Sequence, residues 1–214
     1  MSYFLNILNP EQRKVFDKLS FLNRDFYLAG GTALALQIGH RTSLDFDFYS
    51  DRHFDASDLY DKLEEVFREH VSQTAREKDT LFVRINNVDC SFFWYGHKLI
   101  EKPVIIEGIP VASFEDVAAM KLIAVSRRPA KRDYVDIYFL FQKFNLKEIF
   151  ALAKRKYPDI NLYYSLRALT YFDDVDESDK RPVKIFDKDF SWEKAKKKIF
   201  EEVKKYQLSM LKKD

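Results

Sequence analysis

Two short motifs near the N-terminus combine residue types that bind phosphate with residue types that bind metal ions. Gly30, Gly31 and Thr32 follow a short apolar run, and Asp45 and Asp47 come soon after them. Glycines at the end of a strand let the backbone turn sharply, with φ above zero, and approach a phosphate closely. An apolar helix is predicted to begin at Thr32, and its N-terminus would point free N–H groups toward a triphosphate. The first motif therefore predicts a phosphate-binding turn.

The two aspartates lie on a predicted strand that runs from Leu44 to Tyr49. Because side chains alternate along a strand, Asp45 and Asp47 face the same side, and the apolar residues between them face the core. Two carboxylates on one face repel each other unless a divalent cation lies between them. Mg²⁺ takes oxygen ligands and is usually held by one or two carboxylates plus substrate phosphates. The two motifs together predict nucleotidyl transfer with Mg²⁺ or Mn²⁺. The alternative is a solvated strand face whose charges happen to alternate.

Asp89 is the candidate for a third carboxylate of this metal site. It lies in residues 88–95, a run rich in strand-forming residues that follows the turn signal Asn86-Asn87. A carboxylate from a neighbouring strand would complete a two-metal site for in-line displacement at phosphorus. An edge-strand carboxylate that faces water is the alternative. The neighbouring Cys90 is predicted to lie on the opposite face as a core thiol.

The order of the predicted elements indicates an α+β fold with a small mixed sheet. A helix from Pro10 to Leu19 begins with a capping box, and a strand, a glycine turn, a helix and a second strand follow it. The remaining predicted strands and helices are strands at 80–86, 88–95 and 104–109, and helices at 55–71, 113–126, 131–144, 146–156, 161–171 and 191–211. Residues 1–112 are predicted to form the sheet domain, and residues 113–214 a helical lobe that completes a cleft.

Two segments of the chain resemble a known motif. Leu-Ala-Gly-Gly-Thr-Ala-Leu at 28–34 and His-Arg-Thr-Ser-Leu-Asp-Phe-Asp-Phe at 40–48 resemble the opening motif of the polymerase-β-like nucleotidyltransferases. More narrowly, they resemble the AbiEii/AbiGii toxins of type IV toxin–antitoxin systems. Residues 113–122 and 131–138 are similar to the later lysine and aspartate motifs of that family. The combination of spaced motifs points to the toxin subfamily and spans about residues 25 to 140.

The resemblance implies a polymerase-β-like nucleotidyltransferase core and a function. It implies an enzyme that moves an NMP group from an NTP to a hydroxyl on RNA, such as tRNA, or on a protein. It also implies a toxin with a cognate antitoxin as partner. One alternative keeps the chemistry and replaces the acceptor by a small molecule, as in antibiotic nucleotidyltransferases. The other is a nucleotide-binding module without turnover, which the intact Gly-Gly and Asp-x-Asp motifs disfavour.

A second set of chemical residues lies in the predicted helices. Lys121 occurs in a strongly apolar helix, where it must extend to the surface, pair with a carboxylate or serve a ligand. Asp133 and Asp136 are three residues apart and share one side of a helix. Lys121 is predicted to neutralise nucleotide phosphate charge, and one aspartate to accept the proton of the attacking hydroxyl. Alternative roles are an ion pair for Lys121, helix-dipole compensation for Asp133 and a pair with Arg132 for Asp136.

The loop before the carboxylate strand contains Arg41 and Ser43, which are typical of the resembled family. A guanidinium group binds phosphate through two parallel hydrogen bonds. The predicted nucleotide-binding residues are Gly30, Gly31, Thr32, Arg41, Ser43 and Lys121.

The composition is 46% hydrophobic and 33% charged, and the net charge is only +2, so no general affinity for nucleic acid is indicated. No signal peptide or long apolar run is evident, and a cytoplasmic, non-membrane protein is predicted. Eight lysines near the C-terminus suit RNA phosphates or an ordinary solvated helix face. They are Lys194, Lys196, Lys197, Lys198, Lys204, Lys205, Lys212 and Lys213.

Overall fold

The computed structural model describes residues 3–173, 175 and 183–211. The chain divides into two compact units, Met1–Ser113 and Phe114–Asp214, which we call the sheet unit and the helical unit. The sheet unit contains helices α1 (Pro10–Phe16), α2 (Gly30–Ile38) and α3 (Ala56–Phe67). Its strands are β1 (Tyr27–Ala29), β2 (Asp45–Ser50), β3 (Val71–Glu77), β4 (Thr80–Ile85), β5 (Val88–Trp94), β6 (Val104–Ile106) and β7 (Ile109–Val111). The predicted α+β class is confirmed.

The seven strands form one mixed sheet in the order β3-β4-β5-β2-β1-β7-β6. Strand β2 pairs in parallel with β5, and β1 pairs in parallel with β7, whereas the other neighbours are antiparallel. The two strands that carry the predicted metal ligands, β2 and β5, are therefore direct neighbours in the middle of the sheet.

Strand β2 alternates between a buried face and an open face, as predicted. Phe46 and Phe48 are fully buried, and the Phe48 ring stacks on Phe92 of β5 at a centroid distance of 5.2 Å. Asp45 and Asp47 alternate with these rings and are half-buried. We call the side of the sheet that carries these aspartates the open face.

Two predictions in the sheet unit are wrong, one of a helix end and one of a strand. The helix predicted to reach Val71 ends at Phe67, and the edge strand β3 follows it. Every side chain of β3 after Val71 is exposed, so the sequence shows no alternation that would indicate a strand. The single strand predicted at 104–109 is a hairpin, because Glu107 and Gly108 have φ values of +49° and +80° and reverse the chain.

The helical unit contains helices α4 (Phe114–Arg127), α5 (Lys131–Leu140), α6 (Leu146–Lys156), α7 (Leu162–Ala168) and α8 (Trp192–Leu211). Helix α6 has the predicted limits, and a capping box of Asn145 and Glu148 fixes its start. On α8, Ala195, Ile199 and Val203 are buried and recur at helical spacing, whereas Met210 is 49% exposed. Within the described residues, no helix combines the length and the apolar character that a membrane crossing requires.

Candidate active site

The glycine turn connects β1 directly to α2. The helix begins at Gly30, two residues before the predicted start at Thr32, and Ala29 is its N-cap residue without a side-chain capping bond. Gly30 has φ +67°, which confirms the expected left-handed turn for this glycine. Gly31 has no positive φ, so the expectation of φ above zero is wrong for it. The first turn of α2 therefore consists of the motif itself.

Each glycine leaves room for a functional side chain. A Cβ atom added to Gly30 would lie 2.7 Å from Oδ2 of Asp47, so the carboxylate lies directly against this backbone. A Cβ atom added to Gly31 would collide with Nη2 of Arg41. The absence of both side chains is what allows a carboxylate and a guanidinium group to approach one helix N-terminus.

Arg41 is buried to 2% exposure, and its Nη1 donates a hydrogen bond to the carbonyl of Thr42 at 2.9 Å. Its guanidinium group lies over Gly31, where the N-terminus of α2 also contributes partial positive charge. Two positive features thus meet at one point, and an anionic oxygen there would be stabilised by both.

Thr32 and Ser43 are also brought together, but their hydroxyl groups bind each other. The distance from Thr32 Oγ1 to Ser43 Oγ is 2.7 Å, and the carbonyl of Asp45 also lies within hydrogen-bonding distance of Thr32 Oγ1. Gln12 Nε2 donates to the carbonyl of Ser43 at 2.8 Å. These contacts connect the loop before β2 to the start of α2. Because the Thr32 hydroxyl group already has protein partners, its backbone N–H is the group suited to bind a phosphate.

The three predicted ligand carboxylates lie on two adjacent strands. In the parallel pair β2/β5, Asp45 is the register partner of Asp89, so both side chains project from the open face. The Asp89 carboxylate, however, accepts a hydrogen bond from Nε of Arg84 at 2.7 Å, and both side chains are 53% exposed. Among the residues described here, no group of three or more His, Cys, Asp or Glu side chains is close enough to hold a metal ion. The joint metal site remains a prediction.

The buried thiol of Cys90 is influenced by the charges of all three aspartates. Burial raises the pKa of its thiol well above the usual value, and the charges of Asp89, Asp47 and Asp45 raise it further, in that order. The side chain is 1% exposed, which confirms the predicted core thiol.

A second charged cluster lies inside the helical unit. Lys121 of α4 approaches Oδ1 of Asp133 at 2.6 Å and Oδ2 of Asp136 at 2.5 Å. Arg128 Nε approaches Oδ2 of Asp133 at 3.3 Å. Both aspartate side chains are 0% exposed. The ion pair considered for Lys121 is therefore present, and the substrate roles of Lys121, Asp133 and Asp136 remain predictions.

Several ion pairs were not predicted from the sequence, and two of them show why. Arg84 and Asp89 face each other across the β4–β5 hairpin. This pair could have been predicted from the two-residue Asn86-Asn87 turn. A two-residue turn makes the residues at equal distances on either side cross-strand partners. The other pair joins Lys156 to Asp116 at 2.7 Å with both side chains fully buried, and no local pattern predicts a contact across forty residues.

Comparisons with solved structures identify the fold. The structure is similar to that of a Helicobacter pylori protein proposed to be a nucleotidyltransferase, with 18% identity, a TM-score of 0.57 and coverage of 97% of this chain and 99% of that one. It is also similar to MenT4, the nucleotidyltransferase toxin Rv2826c of Mycobacterium tuberculosis H37Rv, with 17% identity, a TM-score of 0.52 and coverage of 89% and 82%. These two likenesses concern the fold, which is that of the nucleotidyltransferases.

Similarity of sequence identifies the family. Residues 14–210 match the family described as nucleotidyl transferase AbiEii toxin of type IV toxin–antitoxin systems. An uncharacterised protein of Aquifex aeolicus (strain VF5) is 35% identical over 207 residues, which cover 93% of this chain and 97% of that protein. The chain is a nucleotidyltransferase. It belongs to the AbiEii toxin family, which confirms the resemblance noted in its motifs.

Proposed function

We propose that the chain transfers an NMP group from an NTP to a hydroxyl of an RNA acceptor, such as tRNA, in the presence of Mg²⁺. The hydroxyl oxygen bonds to the α-phosphorus, the bond from that phosphorus to the pyrophosphate oxygen breaks, and the hydroxyl proton passes to a base. A protein hydroxyl is the other acceptor that the family assignment suggests. As a member of a toxin family, the protein would act as a toxin restrained by a cognate antitoxin.

The observation that carries this proposal is the junction of β1 and α2. Asp47 lies against Gly30, and Arg41 lies against Gly31. A carboxylate for a cation and a buried guanidinium group for phosphate thus adjoin one helix N-terminus, which is the combination that NTP chemistry needs.

Asp45, Asp47 and Asp89 are the residues proposed to hold the divalent cation. Their donors are carboxylate oxygens on one face of adjacent strands, and such oxygens are the ligands that Mg²⁺ prefers. When bound, the cation would stabilise the charge on the phosphoryl oxygens and orient the reacting groups. Arg84 contacts Oδ1 of Asp89, so the cation would take Oδ2 or replace this contact.

The roles of the buried cluster in the helical unit are proposed from its chemistry and from the family motifs. Lys121 would compensate phosphate charge, and Asp133 or Asp136 would orient or deprotonate the acceptor hydroxyl. Because Lys121 already contacts both carboxylates, substrate would have to compete with these ion pairs.

The test is transfer of label by the purified full chain. The protein is incubated with Mg²⁺, total tRNA and each of the four NTPs in turn, labelled at the α-phosphate, and the products are separated into RNA, protein and free nucleotide. We expect label in the RNA and release of pyrophosphate, both of which Asp47→Asn abolishes. A matched control is Asp51→Asn, an exposed aspartate just beyond β2.

Three results would overturn parts of the proposal. Label that enters only the protein would replace RNA by a protein acceptor. Pyrophosphate release that needs an added small hydroxyl compound would favour the antibiotic-type alternative. NTP binding without any transfer or pyrophosphate release would contradict the proposed reaction itself.

A further inference from the structure

The open face of the sheet carries a row of aromatic side chains beside the carboxylates. We define the aromatic strip as Tyr49 of β2, Phe82 of β4, Phe93 of β5 and the following Tyr95. All four side chains are half-buried. Alternation and register place Tyr49 and Phe93, which are partners in the parallel β2/β5 pair, on the face that carries Asp47.

The rings form one continuous surface. The Tyr49 centroid lies 5.6 Å from that of Phe93 and 4.9 Å from that of Tyr95. Phe82 meets Phe93 edge to face at 5.2 Å. These separations are those of mutually packed rings, so each ring holds its neighbour in place.

The aromatic strip begins where the carboxylates end. Tyr49 comes two residues after Asp47 on the same face of β2, which corresponds to about 7 Å along a strand. Phe93 follows Asp89 on the same face of β5, with Ser91 between them. A group whose reacting atom lies at the aspartates can therefore rest its adjacent ring on the strip.

The position of the glycine turn indicates which of the two substrates places a ring on the aromatic strip. In the antiparallel pair β1/β2, Ala29 is opposite Asp47 and Tyr27 is opposite Tyr49. The turn that follows Ala29 therefore lies toward the Asp45 end of β2, and the strip lies at the other end. In an in-line displacement the attacking and leaving oxygens are on opposite sides of the phosphorus. With pyrophosphate at the glycine turn, the acceptor approaches from the side of the strip.

We propose that the aromatic strip stacks against the terminal nucleobase of a single-stranded RNA acceptor. This inference rests on the proposed function and adds the part of the acceptor that is recognised. Aromatic side chains on an open sheet face stack with unpaired bases, and every base offers a π face, so the contact tolerates different sequences. The strip contains no charged side chain, which suits the flat face of a base better than a phosphate.

The experiment measures binding of one defined probe to the full chain without NTP. The probe is a short single-stranded RNA with 2-aminopurine as its 3′-terminal base, whose fluorescence falls when the base stacks. The variants are Phe93→Leu and the double variant Phe82→Leu/Phe93→Leu, both of which keep the site apolar. Trp94→Leu is the matched control, because Trp94 is the next residue on β5, is 43% exposed and stacks on His53 instead of joining the strip.

We expect the wild-type protein to quench the probe and the double variant to lose the quenching, with Kd raised about 5- to 100-fold. Trp94→Leu should match the wild type. A second RNA, identical except for an abasic 3′ end, should bind all four proteins with equal affinity. Melting temperature verifies folding, and Phe82→Leu alone replaces the double variant if that does not fold.

Unchanged quenching in the folded strip variants would overturn the inference, and so would equal losses in Trp94→Leu. Absence of RNA binding by the wild type would also overturn it in favour of a protein or small-molecule acceptor. The outcome is independent of turnover. If the chain is inactive but still quenches the probe through Phe93, the proposed reaction is contradicted and the role of the strip is supported. If the chain is active but the strip variants bind the probe like the wild type, the proposed reaction is supported and the role of the strip is contradicted.

Discussion

The sheet unit and the helical unit each contain a group of aspartates, and the two groups are neutralised in different ways. Asp45 and Asp47 are half-buried on the open face, and Asp89 is 53% exposed and contacts the equally exposed Arg84. Asp133 and Asp136 are completely buried and share the ammonium group of Lys121, which is itself buried. The first group is partly exposed to solvent on the open face, whereas the second is buried around one ammonium group.

This difference indicates that the stability and the activity of the protein depend on the two groups in different ways. A buried carboxylate that loses its cation is left as an uncompensated charge, and this is costly for folding. A partly exposed carboxylate stays partly hydrated, so its replacement should cost less stability. We therefore expect the sheet-unit aspartates to be needed for activity and the helical-unit cluster to be needed for both stability and activity.

The largest expected effect is that of Asp47→Asn. It removes the negative charge that lies against Gly30, and transfer of label should fall below detection, a loss of at least about a hundredfold. The melting temperature should stay close to that of the wild type, because the residue is half-buried on an open face. Measurable transfer by a folded Asp47→Asn protein would contradict the claim that the sheet-unit aspartates are needed for activity.

Lys121→Met should have the next largest effect, on stability. It leaves Asp133 and Asp136 buried without their shared cation, and the free energy of unfolding in urea should fall by about 3–5 kcal/mol. Asp89→Asn, which breaks an exposed pair, is the matched control and should change it by no more than about 1 kcal/mol.

Kinetics of the same variants separates the roles proposed for the cluster. The folded fraction of Lys121→Met should show a raised KM for the NTP with every acceptor, whereas Asp133→Asn or Asp136→Asn should chiefly lower kcat at saturating NTP. If Lys121→Met and both aspartate variants retained full activity per folded molecule, the cluster would be purely structural.

Gly31→Val is expected to weaken nucleotide binding. The added side chain meets Arg41 and displaces the guanidinium group from the start of α2, so Kd for the NTP should rise about ten- to a hundredfold. The measurement is a binding titration with an NTP that cannot be turned over. Gly96→Val, where a Cβ atom meets only the ring of Trp94, is the control outside the turn. Unchanged affinity in a folded Gly31→Val protein would remove Arg41 from the site.

The smallest effect is expected for the lysines of α8. Lys196 pairs with Glu193 at 2.6 Å and Lys198 pairs with Glu202 at 3.1 Å, so part of their charge is already compensated, and Lys212 and Lys213 lie outside the described residues. Replacing Lys196, Lys197 and Lys198 by Gln should weaken RNA binding and lower its logarithmic salt slope by at most about two. NTP affinity should not change.

The control for this triple variant carries the same charge change on the sheet unit, at the exposed Lys14, Lys62 and Lys78. An equal loss of RNA binding in both triple variants would show a general charge effect. Salt-insensitive transfer that survives the α8 replacement would favour a small-molecule acceptor.

Local features of the sequence were enough to predict the elements that carry the site. The alternation of β2 placed Asp45 and Asp47 on one face, and the Asn86-Asn87 turn placed Asp89 on a following strand. Edge strand β3 was not predicted, because its side chains after Val71 are exposed on both faces. The alternation of apolar residues that indicates a strand arises only where one face is buried.

The contacts within the candidate site could not be predicted in the same way. The guanidinium of Arg41 meets Gly31 only after α2 ends at the left-handed Gly39 and the loop turns back. Lys121 meets Asp133 and Asp136 only because two separate helices pack together. Such contacts depend on tertiary geometry, which cannot be deduced from the spacing of residues along the chain.

The most direct test of the difference between the two aspartate groups is to locate the cation. Crystals of the full chain are grown with Mn²⁺ and an NTP that cannot be turned over, and anomalous scattering locates manganese. We expect a peak within bonding distance, about 2.2 Å, of Asp45 and Asp47, with the triphosphate at Gly30 and Gly31. A peak at Asp133 and Asp136, or a bound triphosphate with no manganese at Asp45 and Asp47, would contradict this account.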